Sequence, residues 1–315
     1  MTRGLLLNAG GDSVEGEQPR RHGRVSWMQS IPAYLYVAPA YVLFAAFFLR
    51  PLVELCYLSL TNWTGLGPKV LIDLDNYREL AADPRFWQSF QHNVIWMLAA
   101  VVVPTSIGLF LAVLLVRSSI RGRLIYRTIY FLPQVLSSVV VSVIWRWIYN
   151  PTYGAINSVL RAVGLDSLAK GWLGDSATAL PALFIAWSWV HYGFCMVIFV
   201  AALQAIDETY YDAAKVDGAN SLQQFWHVTL PSIYRPLTTV ILLTVISAFQ
   251  VFDLVYIITK GGPARATLVL SVFMYDNAFR YSRVGYGAAV GVALGIVIFL
   301  VSLVYMRVRS RLEAR

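Results

Sequence analysis

Long uncharged apolar runs alternate with short polar segments along this chain. A helix needs about 20 mostly apolar residues to cross the hydrocarbon core of a bilayer. Ile31–Leu49 is uncharged and stays apolar past Arg50 and Pro51 to about Leu58. Asn93–Val116 is the second run, and a third lies between Arg127 and Arg146, taken as 126–149. Thr178–Gln204, Pro236–Phe252 (continuing to Ile258) and Gly285–Met306 complete the set. The pattern predicts an all-α polytopic membrane protein of about six spans. Residues 1–30 read as a disordered cytoplasmic tail, and 31–315 as the transmembrane domain. Pro39, Pro104 and Pro133 fall inside spans one to three, where proline serves either packing geometry or a hinge.

Composition supports lipid as the solvent. Hydrophobic residues make up 58% and charged residues 13%, about half the charged share of a soluble domain. Net charge is +8, but the basic residues border apolar spans instead of forming one patch, which favours a membrane surface over nucleic acid. The acid-free Arg117–Arg127 connection is the strongest single orientation signal, and it predicts both termini in the cytoplasm. The last outer loop, with Lys260, Arg265, Arg280 and Arg283, is itself basic. Leu5-Leu6-Leu7 is too short for a signal-peptide core, so the first span is expected to act as an uncleaved anchor. Cys56 and Cys195 both fall in spans, giving neither a disulfide framework nor a cysteine metal site.

Between spans four and five, residues 207–235 are more ordered in composition than a linker. Asp207–Val216 is rich in helix formers, and Asp217-Gly218 reads as a turn. Asn220–Leu230 repeats apolar residues at helical spacing, with Asn220 or Ser221 as N-cap and Pro231 as the stop. A helix–turn–helix is predicted there, either lying on lipid headgroups or docking another protein.

These residues carry a family resemblance. Asp212-Ala213-Ala214-Lys215-Val216-Asp217-Gly218-Ala219, with Phe225, Leu230 and Pro231 beyond, resembles the EAA loop of permease subunits from binding-protein-dependent ABC importers. The family's leading Glu is Asp212 here. Phe131-Leu132-Pro133, Ile144–Tyr149, Phe249–Asp253 leading into Thr259-Lys260-Gly261-Gly262-Pro263, and Tyr57–Trp63 resemble its carbohydrate-uptake branch, the maltose, glycerol-3-phosphate and multiple-sugar permeases. The resemblance implies a type I importer permease fold in the cell membrane (the inner membrane if the cell is Gram-negative). It implies a second permease, a cytoplasmic ATPase dimer and an extracytoplasmic binding protein as partners. Asp212, Ala213, Ala214, Asp217, Gly218, Ala219, Phe225 and Pro231 would form the coupling element. The chain holds no G-x-x-x-x-G-K-[ST]. It is therefore expected to be no enzyme and to bind no cofactor, with ATP and Mg used on the partner ATPase.

For a solute path, Trp187, His191 and Phe194 share one face of span four, and Thr244, Ala248 and Val251 one face of span five. These positions match the sugar-lining ones of the resembled family, although several of its polar contacts are Ala248 and Val251 here. Packing, with His191 in an interhelical hydrogen bond, accounts for the same residues. Asp253 is expected to be a cap or ion-pair partner near the interface, and Trp145–Tyr149 an aromatic belt. An ion- or proton-coupled carrier would need buried ionisable residues and often repeats, which are missing. A membrane enzyme would need clustered acids or histidines, and His22, His92, His191 and His227 are scattered.

Overall fold

The computed structural model describes residues 27–117 and 121–313. The expected tail lies outside them, except that Trp27–Ser30 already belong to the first helix. Among the described residues every regular element is helical, apart from one isolated bridge between Thr61 and Leu71.

The chain divides into two compact units, Met1–Leu52 and Val53–Arg315. In the first, α1 (Trp27–Phe44) ends in a wide turn over Ala45–Leu49, closed by the Arg50 N–H on the Ala45 carbonyl. Pro51 accounts for the widening, because it lacks an N–H and crowds the carbonyl four residues back. Next comes α2 (Arg50–Leu58).

The second unit holds α3 (Asp75–Ala82), α4 (Pro84–Arg117), α5 (Arg123–Val135), α6 (Ser138–Ile148), α7 (Ala155–Ala162) and α8 (Ser176–Gln204). The loop elements α9 (Glu208–Val216), α10 (Ser221–Gln224) and α11 (Leu230–Ser232) follow. The remainder is α12 (Tyr234–Phe249), α13 (Asp253–Ile258), α14 (Leu270–Tyr275) and α15 (Val284–Glu313).

Among the described residues, five helices are long and apolar enough to cross a membrane. The sixth span appears only if α5 and α6 are counted together, and they meet at 98°. The span predicted over 126–149 is thus a sharply bent pair of helices. Pro133 withholds a backbone donor near the end of α5, Leu136 turns extended, and Ser137 caps α6 by accepting the Val139 N–H. Span five is also interrupted, at Gln250–Phe252 between α12 and α13.

The core forms where α4 packs along α8. Asn93, Trp96, Ala100, Pro104, Gly108, Ala112 and Leu115 make a buried stripe on α4 at three- and four-residue spacing. A Cβ on Gly108 would lie 2.6 Å from the Cys195 Cβ and 2.9 Å from the Met196 nitrogen. Small residues permit such close approach between membrane helices. Pro104 is buried in this seam inside one continuous helix, so its place is packing. The aromatic belt expected at Trp145–Tyr149 is corrected as well. Trp145 and Tyr149 are buried and Trp147 is exposed, because positions four apart share the face that α6 turns inward. The Tyr149 hydroxyl donates to the Ala182 carbonyl at 2.8 Å.

Candidate functional site

The loop after α8 is built by caps. Asp207 accepts the Thr209 N–H at 2.9 Å and starts α9. That bond, with the Thr209 hydroxyl, holds the Asp207 carboxyl below its ordinary pKa. Gly218 ends α9 at φ +79°, and its N–H bonds the Lys215 carbonyl while the Ala219 N–H bonds that of Ala214. Of the two N-cap candidates, Asn220 takes the role, in a reciprocal capping box with Gln223 at 2.8 and 2.9 Å. Pro231 does not stop the second helix as expected. A wide turn over Phe225–Thr229 absorbs the missing donor, and α11 runs through Pro231 to Ser232.

The arrangement sorts the predicted coupling residues. Ala213, Ala214, Asp217, Gly218 and Ala219 line one wall of a recess of about 460 Å³, with Gln223, Gln224, His227 and Val228 opposite. Asp212 is not in that lining, and its carboxylate pairs with Lys215 at 2.9 Å on the surface. Phe225 faces elsewhere. With Leu222, Trp226 and Leu230 it forms an apolar groove against Leu109, Phe110 and Val113 of α4. Pro231 is exposed. Phe225 and Pro231 thus lie outside the recess, since the turn between the two helices points their faces in different directions.

A second cavity of about 370 Å³ opens where the two interrupted spans meet. Gln134, Leu136, Ser138 and Val141 line it from the bent pair, Trp187 and Val190 from α8, and Ser247, Gln250, Val251, Phe252, Asp253 and Leu254 from span five. Trp187 and Val251 are the predicted path residues that reach it. His191, Thr244 and Ala248 are buried. The His191 Nε2 lies 3.0 Å from the Thr244 Oγ1, tying α8 to α12, and the imidazole stacks on Trp187 at 4.4 Å. Phe194 packs in a core cluster with Phe199 and Leu203.

Sequence reasoning missed Gln134, Ser138, Ser247 and Gln250; their signal was polar residues interrupting apolar runs. Asp253 is the first residue of α13, after the N-cap position held by Phe252, and instead of the expected cap its carboxylate accepts the Ser138 hydroxyl at 2.8 Å. The Gln134 Oε1 is buried and receives no hydrogen bond from the protein. Backbone freed by the interruption of span five is served by neighbours. The Ser271 hydroxyl donates to the Val251 carbonyl. Asn93 reaches the Ala248 and Phe249 carbonyls at 3.4 and 3.5 Å, and its Oδ1 accepts the Leu270 N–H at 2.8 Å.

Residues 104–315 match the family described as the binding-protein-dependent transport system inner membrane component. The chain belongs to this family. It is similar to the probable ABC transporter permease protein YurN of Bacillus subtilis (strain 168), 37% identical over 276 residues, covering 87% of this chain and 94% of that one. It is also similar to the lactose transport system permease protein LacF of Rhizobium radiobacter, 34% identical over 276 residues, covering 86% and 92%. Its fold matches a crystal structure of a bacterial ABC transporter involved in import of the acidic polysaccharide alginate. There the TM-score is 0.80 at 21% identity, covering 90% of this chain and 96% of that one. The chain is thus a membrane permease subunit of an ABC importer, with the importer permease fold.

Proposed function

We propose that this subunit passes a sugar or related polyol through the membrane, driven by a separate ATPase dimer that seats on the α9–α11 loop. The recess walled by Ala213, Ala214, Asp217, Gly218 and Ala219 carries the reading: it is preformed, open and lined by small residues that admit a partner surface closely. The loop and both termini lie in the cytoplasm on this reading, where basic residues flank the spans. ATP and Mg are bound by the ATPase, and no cofactor by this chain. A second permease supplies the other docking loop, and an extracytoplasmic binding protein delivers the solute.

Relatives named for lactose, starch degradation products and multiple sugars support the solute class. The cavity between the interrupted spans falls at the small end of the usual ligand range, about 300–1,000 Å³. It pairs an indole face with amide, hydroxyl and carboxylate groups, the chemistry that suits a polyol.

Two variants test the parts separately. Gly218→Pro removes the bonded N–H and imposes φ near −65° where the backbone holds +79°. Expected is loss of ATP-dependent uptake in a complex that still inserts in the membrane; normal uptake would remove the coupling role. Trp187→Ala should weaken solute-stimulated ATP hydrolysis, whereas unchanged stimulation would return Trp187 to packing.

A further inference from the structure

Arg117 closes α4, and its side chain lies on the loop. The guanidinium carbon sits 3.4 Å from the centre of the Tyr211 ring, and a guanidinium nitrogen is 3.3 Å from the Glu208 carboxylate. Both partners belong to α9. Tyr211 is buried, at 2% exposure, and its hydroxyl lies 3.0 Å from the Thr229 Oγ1 in the second loop helix. One side chain of α4 thereby engages the first loop helix directly and the second through a shared ring.

Besides the apolar groove between the second loop helix and α4, the link between the loop and the spans is the chain itself. Between α8 and α9 it is only Ala205-Ile206-Asp207, which is not helical and by itself leaves α9 free to swivel. A planar guanidinium stacked on a buried ring resists that rotation, and an ammonium would not do so equally. The other end of the path is also anchored. With 34 residues, α4 is about 50 Å long at 1.5 Å per residue. Gly108 seats it closely on α8. Far from Arg117, Asn93 holds the carbonyls at the interruption of span five, and His92 bonds the Leu268 carbonyl at 2.8 Å.

We infer that Arg117 is a positioning residue that fixes the loop to α4, so that loop, α4 and α8 move as one body toward the interruption of span five. The inference rests on the coupling role proposed above. It is tested in the full complex with spin labels at Val216→Cys, at an exposed site of the loop, and at Gln91→Cys, on the exposed face of α4, in a Cys56→Ser background. With Arg117 intact, the label distance should be the same without nucleotide and with ATP trapped by vanadate. Arg117→Ala should make it shift between the two states by about 5 Å, roughly one helical turn. Arg117→Lys, which keeps the charge opposite Glu208, should shift less.

An unchanged distance in Arg117→Ala overturns the inference, as does equal broadening in both states, which marks a general loss of order. So does a nucleotide-dependent shift with Arg117 intact. Failure of the underlying coupling role reads differently: adding the ATPase chain would leave the Val216 label's spectrum unaltered.

Discussion

At the scale of single residues, several ionic groups outside the spans are held by near neighbours. Asp83 is buried and pairs with Arg85 at 2.9 Å, while the Tyr286 hydroxyl donates to it at 3.1 Å. Burial by itself raises its pKa, but the hydrogen bonds from Arg85 and Tyr286 and the Arg85 charge outweigh it, and the carboxyl titrates below its ordinary value. A pKa depressed in the folded state adds stability that is present above the unfolded value and lost as pH falls through the folded one. Asp83→Asn is therefore expected to lower the melting temperature of the purified complex at pH 7. The gap from the parent should narrow on acidification below about pH 4, the ordinary aspartate range; a gap independent of pH would contradict this. His191 and Thr244 make a sharper case. Removing one partner strands a buried polar group, at a cost of about 1–3 kcal/mol, whereas replacing both costs less. His191→Leu with Thr244→Val should accordingly be closer to the parent in thermal stability than either single variant. Additive losses would mean that the two side chains act separately.

At the scale of elements, apolar runs and their polar borders were legible, because lipid imposes a length and an absence of charge that any ordering of apolar residues satisfies. The α9–Gly218 turn was legible for a local reason: glycine, caps and helical spacing act within a few residues. The 98° bend between α5 and α6 was not. Pro133 signalled a kink, but the size of the bend depends on how α6 packs against α8 through Trp145 and Tyr149. Polar groups of the cavity were overlooked because Gln134, Ser138, Ser247 and Gln250 gather only after the two interruptions bring their spans together. The face that Phe225 presents was not legible for a related reason: it is set by a wide turn that adjusts to Pro231. The α4–α8 seam yields its own prediction. Gly108→Leu forces side-chain atoms against the Cys195 Cβ and the Met196 backbone, and overpacking of this kind typically costs about 1–3 kcal/mol. A lower melting temperature and reduced yield in membranes are expected; parent-like stability would show that the seam yields easily.

At the scale of the whole molecule, the parts divide between energy and passage. On the proposed function, the recess on the loop is where the ATPase pushes. The cavity lies where two spans surrender regular helix, and irregular backbone is tolerated at membrane depth when protein or a polar cavity surrounds it. Between the two run α4 and α8, packed without room for an added methyl at Gly108. This division separates a driven permease from a carrier that works on its own gradient. The decisive measurement is uptake into proteoliposomes holding this chain, its second permease and the ATPase, with the sugar-loaded binding protein outside. Uptake should require both ATP and the binding protein, persist when ion gradients are collapsed, and vanish with Gly218→Pro. Uptake that follows an ion gradient without ATP, or that survives Gly218→Pro undiminished, would contradict the account.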